Sequence, residues 1–166
     1  MKFHEHIVRA SLPELPFRLS RAELAAGIAD FARHPDKYIQ DATGSRIVAA
    51  LPGAPEGGER FEREISFGSL TFRELVEIRA DGSCRARAEA EGARPGSDFV
   101  ISIEEPEPEV FFVRFTYHED REVKAESVEE KRFLELRRLA YELKDRDVVS
   151  KILDDLTKAF VTAAHA

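Results

Sequence analysis

Between Ser45 and His118 the apolar residues recur at every second position, and this period decides most of what the chain can fold into. Six strand-sized runs, 43–51, 59–67, 70–79, 83–91, 97–104 and 109–118, are separated by short connections rich in Gly, Pro, Asp and Ser. Joining two parallel strands takes a crossover of about a dozen residues or more, usually helical. None of these connections holds a helix, so the runs predict an antiparallel meander.

Two turns can be argued to register. Gly68-Ser69 fits a two-residue type II′ hairpin, with Phe67 opposite Leu70. That register sets Arg60 against Glu77, Arg63 against Glu74 and Glu64 against Arg73, and a slip by one residue would destroy all three charge pairs. At the next turn, a two-residue Asp81-Gly82 loop would oppose Glu74 to Glu89. A three-residue loop, Ala80-Asp81-Gly82, with Gly82 as a left-handed bulge residue, avoids this. It sets Glu77 against Arg85 and Arg73 against Glu89 on a charged outer face, and Ile78 and Val76 against Cys84 and Ala86 on an apolar inner one.

The flanks read differently. Residues 2–11 alternate imperfectly and predict an edge or crossover strand. Ser20 with Glu23 forms a capping-box signature, Leu19 and Leu24 a hydrophobic staple, and Leu24, Ile28 and Phe31 one buried stripe of a helix from Arg21 to Arg33 that Pro35 stops. After His118 the period returns to 3.6. Phe133, Leu136, Leu139, Ala140 and Leu143 form one stripe, and Val149, Ile152, Leu156, Phe160 and Ala163 a second. The two stripes are out of phase, which predicts a break or kink at Lys144-Asp145-Arg146-Asp147, with Asp145 or Asp147 as a cap.

With 25 Lys and Arg against 32 Asp and Glu, the net charge is −7 and no basic cluster stands out, which argues against nucleic acid as a partner. The longest apolar runs, Ile47 to Leu51 and Leu24 to Ala29, fall short of the ~18 residues of a membrane span. The start, Met1 to His6, lacks a secretory apolar stretch. Cys84 is the only cysteine, so no internal disulfide forms. A chain of 166 residues, 43% of them hydrophobic, is read as one α+β domain over 1–166, with a cytoplasmic location.

The element order resembles the helix-grip fold of the START and Bet v 1-like (SRPBCC) superfamily: a seven-stranded curved antiparallel sheet around a kinked carboxy-terminal helix, plus a helical segment between strands 1 and 2. Leu19-Ser20-Arg21-Ala22-Glu23-Leu24, Gly27-Ile28, Ala32 and Pro35 resemble the first-helix motif of the DUF1857 proteins, relatives of the acetylaranotin-cluster protein L. Arg63-Glu64-Ile65-Ser66-Phe67-Gly68 and Arg73-Glu74-Leu75-Val76 resemble that family's hairpin, and Ala140-Tyr141 through Asp147-Val148-Val149 its last helix. One departure is Ala25, where the resemblance leads one to expect Trp. The resemblance implies a pocket for an apolar or aromatic small molecule between sheet and helix, and no particular reaction, cofactor or metal.

The cavity wall is expected from Phe61, Arg63, Ile65, Phe72, Glu74, Val76, Phe99, Ile101, Val113 and Phe115. Arg63 and Glu74 are the informative pair, because charges on an apolar face must pair or line a wet cavity. They serve as structural pair or as ligand anchors, but hardly as an acid–base couple, since a guanidinium holds its partner in the charged form. His4 and His6 lack a third metal ligand nearby and read as solvated. Cys84 reads as a small buried thiol. The loop Pro52 to Gly58 lacks the helix and Lys-Ser/Thr of a phosphate cradle and reads as flexible backbone at a cavity mouth. Phe111 and Tyr117 join the core aromatics. No catalytic set emerges, so ligand binding leads, with a cyclase or dehydratase acting in the same cavity as the alternative and a chaperone-activator-like interaction module as a third class. Monomer and homodimer both remain open.

Overall fold

The computed structural model describes residues 1–166. β1 (Lys2–Arg9) leads to α1 (Arg21–Arg33) and a short 3-10 turn over Pro35–Lys37. Six strands follow, β2 (Gly44–Ala50), β3 (Glu59–Phe67), β4 (Leu70–Ile78), β5 (Cys84–Ala88), β6 (Ser97–Glu107) and β7 (Val110–Glu119), and then α2 (Val128–Ala164). All strand pairs are antiparallel, in the order β1-β7-β6-β5-β4-β3-β2, so β1 and β2 are the edges. The predicted α+β architecture, with seven strands and a long last helix, is the one observed.

Both argued turns form in the expected register. Phe67 faces Leu70, and Gly68 has a φ of +63° while Ser69 stays at negative φ, as type II′ requires. Gly82 has a φ of +89°, and Ile78 faces Cys84 and Val76 faces Ala86. The Arg73 and Glu89 pairing does not form, because β5 ends at Ala88; Arg73 instead reaches Glu64 at 2.8 Å and Glu62 at 3.2 Å.

α1 starts as its sequence dictates. The Glu23 amide donates to Ser20 Oγ at 3.1 Å, the Ser20 amide donates back to the Glu23 carboxylate at 3.2 Å, and Leu19 and Leu24 are buried. Its stripe packs with Val148, Val149, Ile152 and Leu153 of α2 onto Val76, Ile78, Ala86, Ile101, Val113 and Phe115 of the sheet. Gly27 lets the helices approach: a Cβ there would stand 2.4 Å from Ile152 Cγ2. Ala25 makes a similar approach to the β4–β5 turn, its Cβ lying 2.7 Å from where a Gly82 Cβ would stand, so the small residue in place of Trp lets α1 dock on that turn.

The last helix corrects the sequence reading. α2 runs for 37 residues with no break at 144–147, and neither Asp145 nor Asp147 caps it. The phase is set by Val148, Val149, Ile152 and Leu153, which are buried against the sheet. Leu143 precedes Ile152 by nine residues, roughly half a turn around the cylinder, so an unbroken helix must point it the other way. Phe133, Leu136, Leu139 and Leu143 are accordingly 65, 59, 49 and 57% exposed. The side that continues toward the sheet carries Tyr141 and Asp145 instead.

Candidate functional site

The second half of α2 seals the sheet with aliphatic side chains, while the first half approaches it with large polar and aromatic ones. The space they leave is a cavity of about 430 Å³ between sheet and helix. Of the anticipated residues, Arg63, Ile65, Phe72, Glu74 and Phe99 line it. Phe61, Val76, Ile101, Val113 and Phe115 lie in the sealed core, at 4% exposure or less. The loop 52–58 does not reach the cavity, contrary to its reading as a mouth; Gly58 instead packs so closely that a Cβ there would meet the Ile78 carbonyl at 2.0 Å.

Arg63 and Glu74 face each other across β3 and β4, with Nη2 2.6 Å and Nε 2.7 Å from Glu74 Oε2. Arg63 Nη1 also donates to the Ala32 carbonyl at 2.6 Å, one of the carbonyls left open at the end of α1. The guanidinium thus joins two strands to a helix C-terminus, where its charge is favourable, and still forms part of the cavity wall. Cys84 is buried nearby, and burial pushes its thiol up to about 11, so it is no nucleophile near neutrality.

A second polar cluster was not foreseen. Asp145 is fully buried, accepting from Tyr117 Oη at 2.6 Å and bonded to His6 Nε2 at 2.7 Å, with Lys144 Nζ 3.2 Å from its other oxygen. Lys144 also donates to Tyr117 Oη at 3.0 Å. Burial, and then the Asp145 charge and its hydrogen bond, hold the Tyr117 phenol well above its usual range, so it stays protonated. His4 stands 3.1 Å from Glu142 and stacks on His6 at 5.5 Å. Both histidines are therefore packed between β1 and α2, with His6 bonded to the helix, and are not solvated side chains. Tyr117 and Lys144 carry this network to the cavity wall. Its residues are scattered through the sequence at 6, 117, 144 and 145, and the one available signal was a pair of charges, Lys144-Asp145, directly before a strongly apolar helical stripe.

The rest of the wall is aromatic and cationic. Tyr117 and Tyr141 stack at 4.3 Å, Phe99 lies 4.9 Å from Tyr117, and Lys144 Nζ sits 4.6 Å over Phe99. Arg137 donates to Tyr141 Oη at 3.0 Å and to the buried Glu119 carboxylate. Arg94 Cζ sits 4.3 Å over the Phe72 ring. Such walls hold planar apolar bodies by stacking and orient them with a few polar groups. No group of acidic, His or Cys residues is arranged to hold a metal, and no helix is long and apolar enough to cross a membrane.

Comparison with known proteins places this architecture. The chain is similar to a START superfamily protein from Mycobacterium smegmatis at 14% identity, covering 86% of this chain and 94% of that one with a TM-score of 0.52. It is similar to Ara h 8.0201 at 12% identity (91% and 97% covered, TM-score 0.51) and to TTHA0849 from Thermus thermophilus at 16% (93% and 96%, TM-score 0.52). These likenesses identify the START/Bet v 1-like fold. No curated protein sequence matches the chain significantly. The profile of one family, acetylaranotin biosynthesis cluster protein L, matches residues 8–156, and the chain belongs to that family.

Proposed function

We propose that this protein binds a hydrophobic, aromatic small molecule in the cavity between the sheet and the first half of α2. The observation that carries the reading is the cavity itself: about 430 Å³ walled by Phe31, Phe67, Phe72, Phe99, Tyr117 and Tyr141, interspersed with charged side chains most of which are paired with one another. A site meant only for packing would have filled this volume with the apolar side chains that α2 turns outward. Native mass spectrometry of the protein purified from its own host tests it. The expected result is an adduct lost on denaturation; a bare protein that also fails to take up naphthalene-type probes contradicts it.

The second reading, chemistry on the held molecule of the cyclase or dehydratase kind, is favoured by one observation: Lys144 and Tyr117 link the cavity wall to the buried Asp145 and His6. Connected acid–base groups at a cavity are where proton transfer is organised. A ligand released from wild type and from Lys144→Met that differs by the mass of one water would put this reading first; identical ligands would dismiss it.

A further inference from the structure

We infer that the molecule held here is an aromatic acid, a planar ring system bearing an anionic oxygen substituent, and that Arg94 takes the anion. The inference rests on the cavity reading above and goes on to name the ligand's charge. Among the acids of the wall, Glu74 is held by Arg63, Glu119 by Arg137, and Asp98 by Arg85 at 2.6 Å and Arg87 at 3.1 Å. Asp41 lies at the exposed rim. No buried carboxylate of the wall is left for a cationic ligand.

The cations are less evenly used. Arg63 and Arg137 each bond a carboxylate and a further oxygen, and Lys144 is shared between Tyr117 and Asp145. Arg94 differs. Its one acceptor is Glu91, 2.7 Å from Nη2, a side chain 76% exposed and screened by solvent, while Arg94 Nε is buried and meets no acceptor at all. Nη1 likewise meets no protein acceptor, and an anion in the cavity would supply one.

Arg94 is also prepared for this task. Backbone bonds of 3.0 Å in both directions between Glu91 and Arg94 close a tight turn, in which Gly92 has a φ of +58° that suits glycine. Arg94 Cζ lies 4.3 Å over the Phe72 ring, a contact that restrains the guanidinium, whose fork matches a carboxylate. A ring attached to that anion extends over an aromatic surface, with Phe67 set edge-on to Phe72 at 5.8 Å and Phe99 and Tyr117 on the same cavity wall.

Calorimetric titration of the whole chain with naphthoate, naphthamide and naphthylmethylammonium tests the inference. Naphthoate should bind about ten-fold tighter than naphthamide, one decade of affinity. Arg94→Gln should remove that advantage, bringing the acid down to the affinity of the amide, while an unchanged circular-dichroism spectrum and melting temperature show that the variant is folded. If amide or ammonium binds wild type as tightly as the acid, or if the acid keeps its advantage in Arg94→Gln, the inference is overturned while the cavity reading stands. If none of the three binds, the cavity reading fails and this inference with it.

Discussion

Asp145 is the most deeply buried charged side chain in the molecule, in a helix face where aliphatic residues follow it directly. Its charge is tolerable because Tyr117, His6 and Lys144 surround it. Asp145→Ala leaves the Tyr117 hydroxyl and the His6 ring without their acceptor, and should cost about 3 to 5 kcal/mol in urea unfolding. Adding Tyr117→Phe to that variant should cost little more, since the partners share one network; additive costs would show that the residues act separately. The Arg63 and Glu74 pair calls for a similar comparison. Arg63→Met alone strands Glu74 and releases the Ala32 carbonyl, a loss of about 3 kcal/mol or more. With Glu74→Leu added, the remaining loss should shrink toward about 1 kcal/mol, the worth of the bond to α1. A double variant as unstable as the single one would mean the carboxylate was never the problem.

At the scale of elements, α2 begins with a reciprocal cap: Ser127 Oγ accepts from the Glu130 amide at 3.1 Å, and the Glu130 carboxylate accepts from the amides of Glu126 and Ser127 at 2.8 and 3.0 Å. Those backbone bonds hold the Glu130 carboxyl below its ordinary value of 4.5. A depressed carboxyl stabilises fully above that ordinary value and loses its contribution as pH falls through the depressed one. Protection factors in the first turn of α2, taken against the intrinsic exchange rate at each pH, should therefore fall below about pH 4.5, and Glu130→Ala should lower them at neutral pH and flatten their pH dependence. Protection factors that stay constant on acidification in wild type would contradict the cap. The hairpins were legible in the sequence because their evidence is local: a glycine at a required positive φ and charge pairs that survive one register only. The start of α1 was legible for the same reason. The phase of α2 was not. Its two apolar stripes compete, and the sealed core around Ile152 wins because four side chains are buried there together, a result of tertiary packing that periodicity alone does not weigh. Asp145 was misread with it, as a cap instead of a buried acceptor.

At the scale of the whole molecule, the cavity follows from that choice of phase. Turning Phe133, Leu136, Leu139 and Leu143 outward obliges α2 to approach the sheet with Arg137, Tyr141, Lys144 and Asp145, which are too polar to pack tightly and too well bonded to be left in solvent. Half of the cavity residues anticipated from strand alternation line it. The other half obey the same alternation, but sit under α1 and the aliphatic part of α2, where the sheet face is closed. Alternation tells which face a residue takes and not what covers it. Because the protein thus offers two surfaces with apolar character, the cavity between sheet and helix and the outward helix face, the most direct test is which of them an aromatic ligand uses. Amide and methyl chemical-shift mapping with naphthoate decides it. The account predicts saturable shifts at Ile65, Ala88, Phe99, Tyr117 and Tyr141, with Leu136, Leu139 and Leu143 silent; shifts confined to the outward leucines, with the cavity residues unmoved, would contradict it.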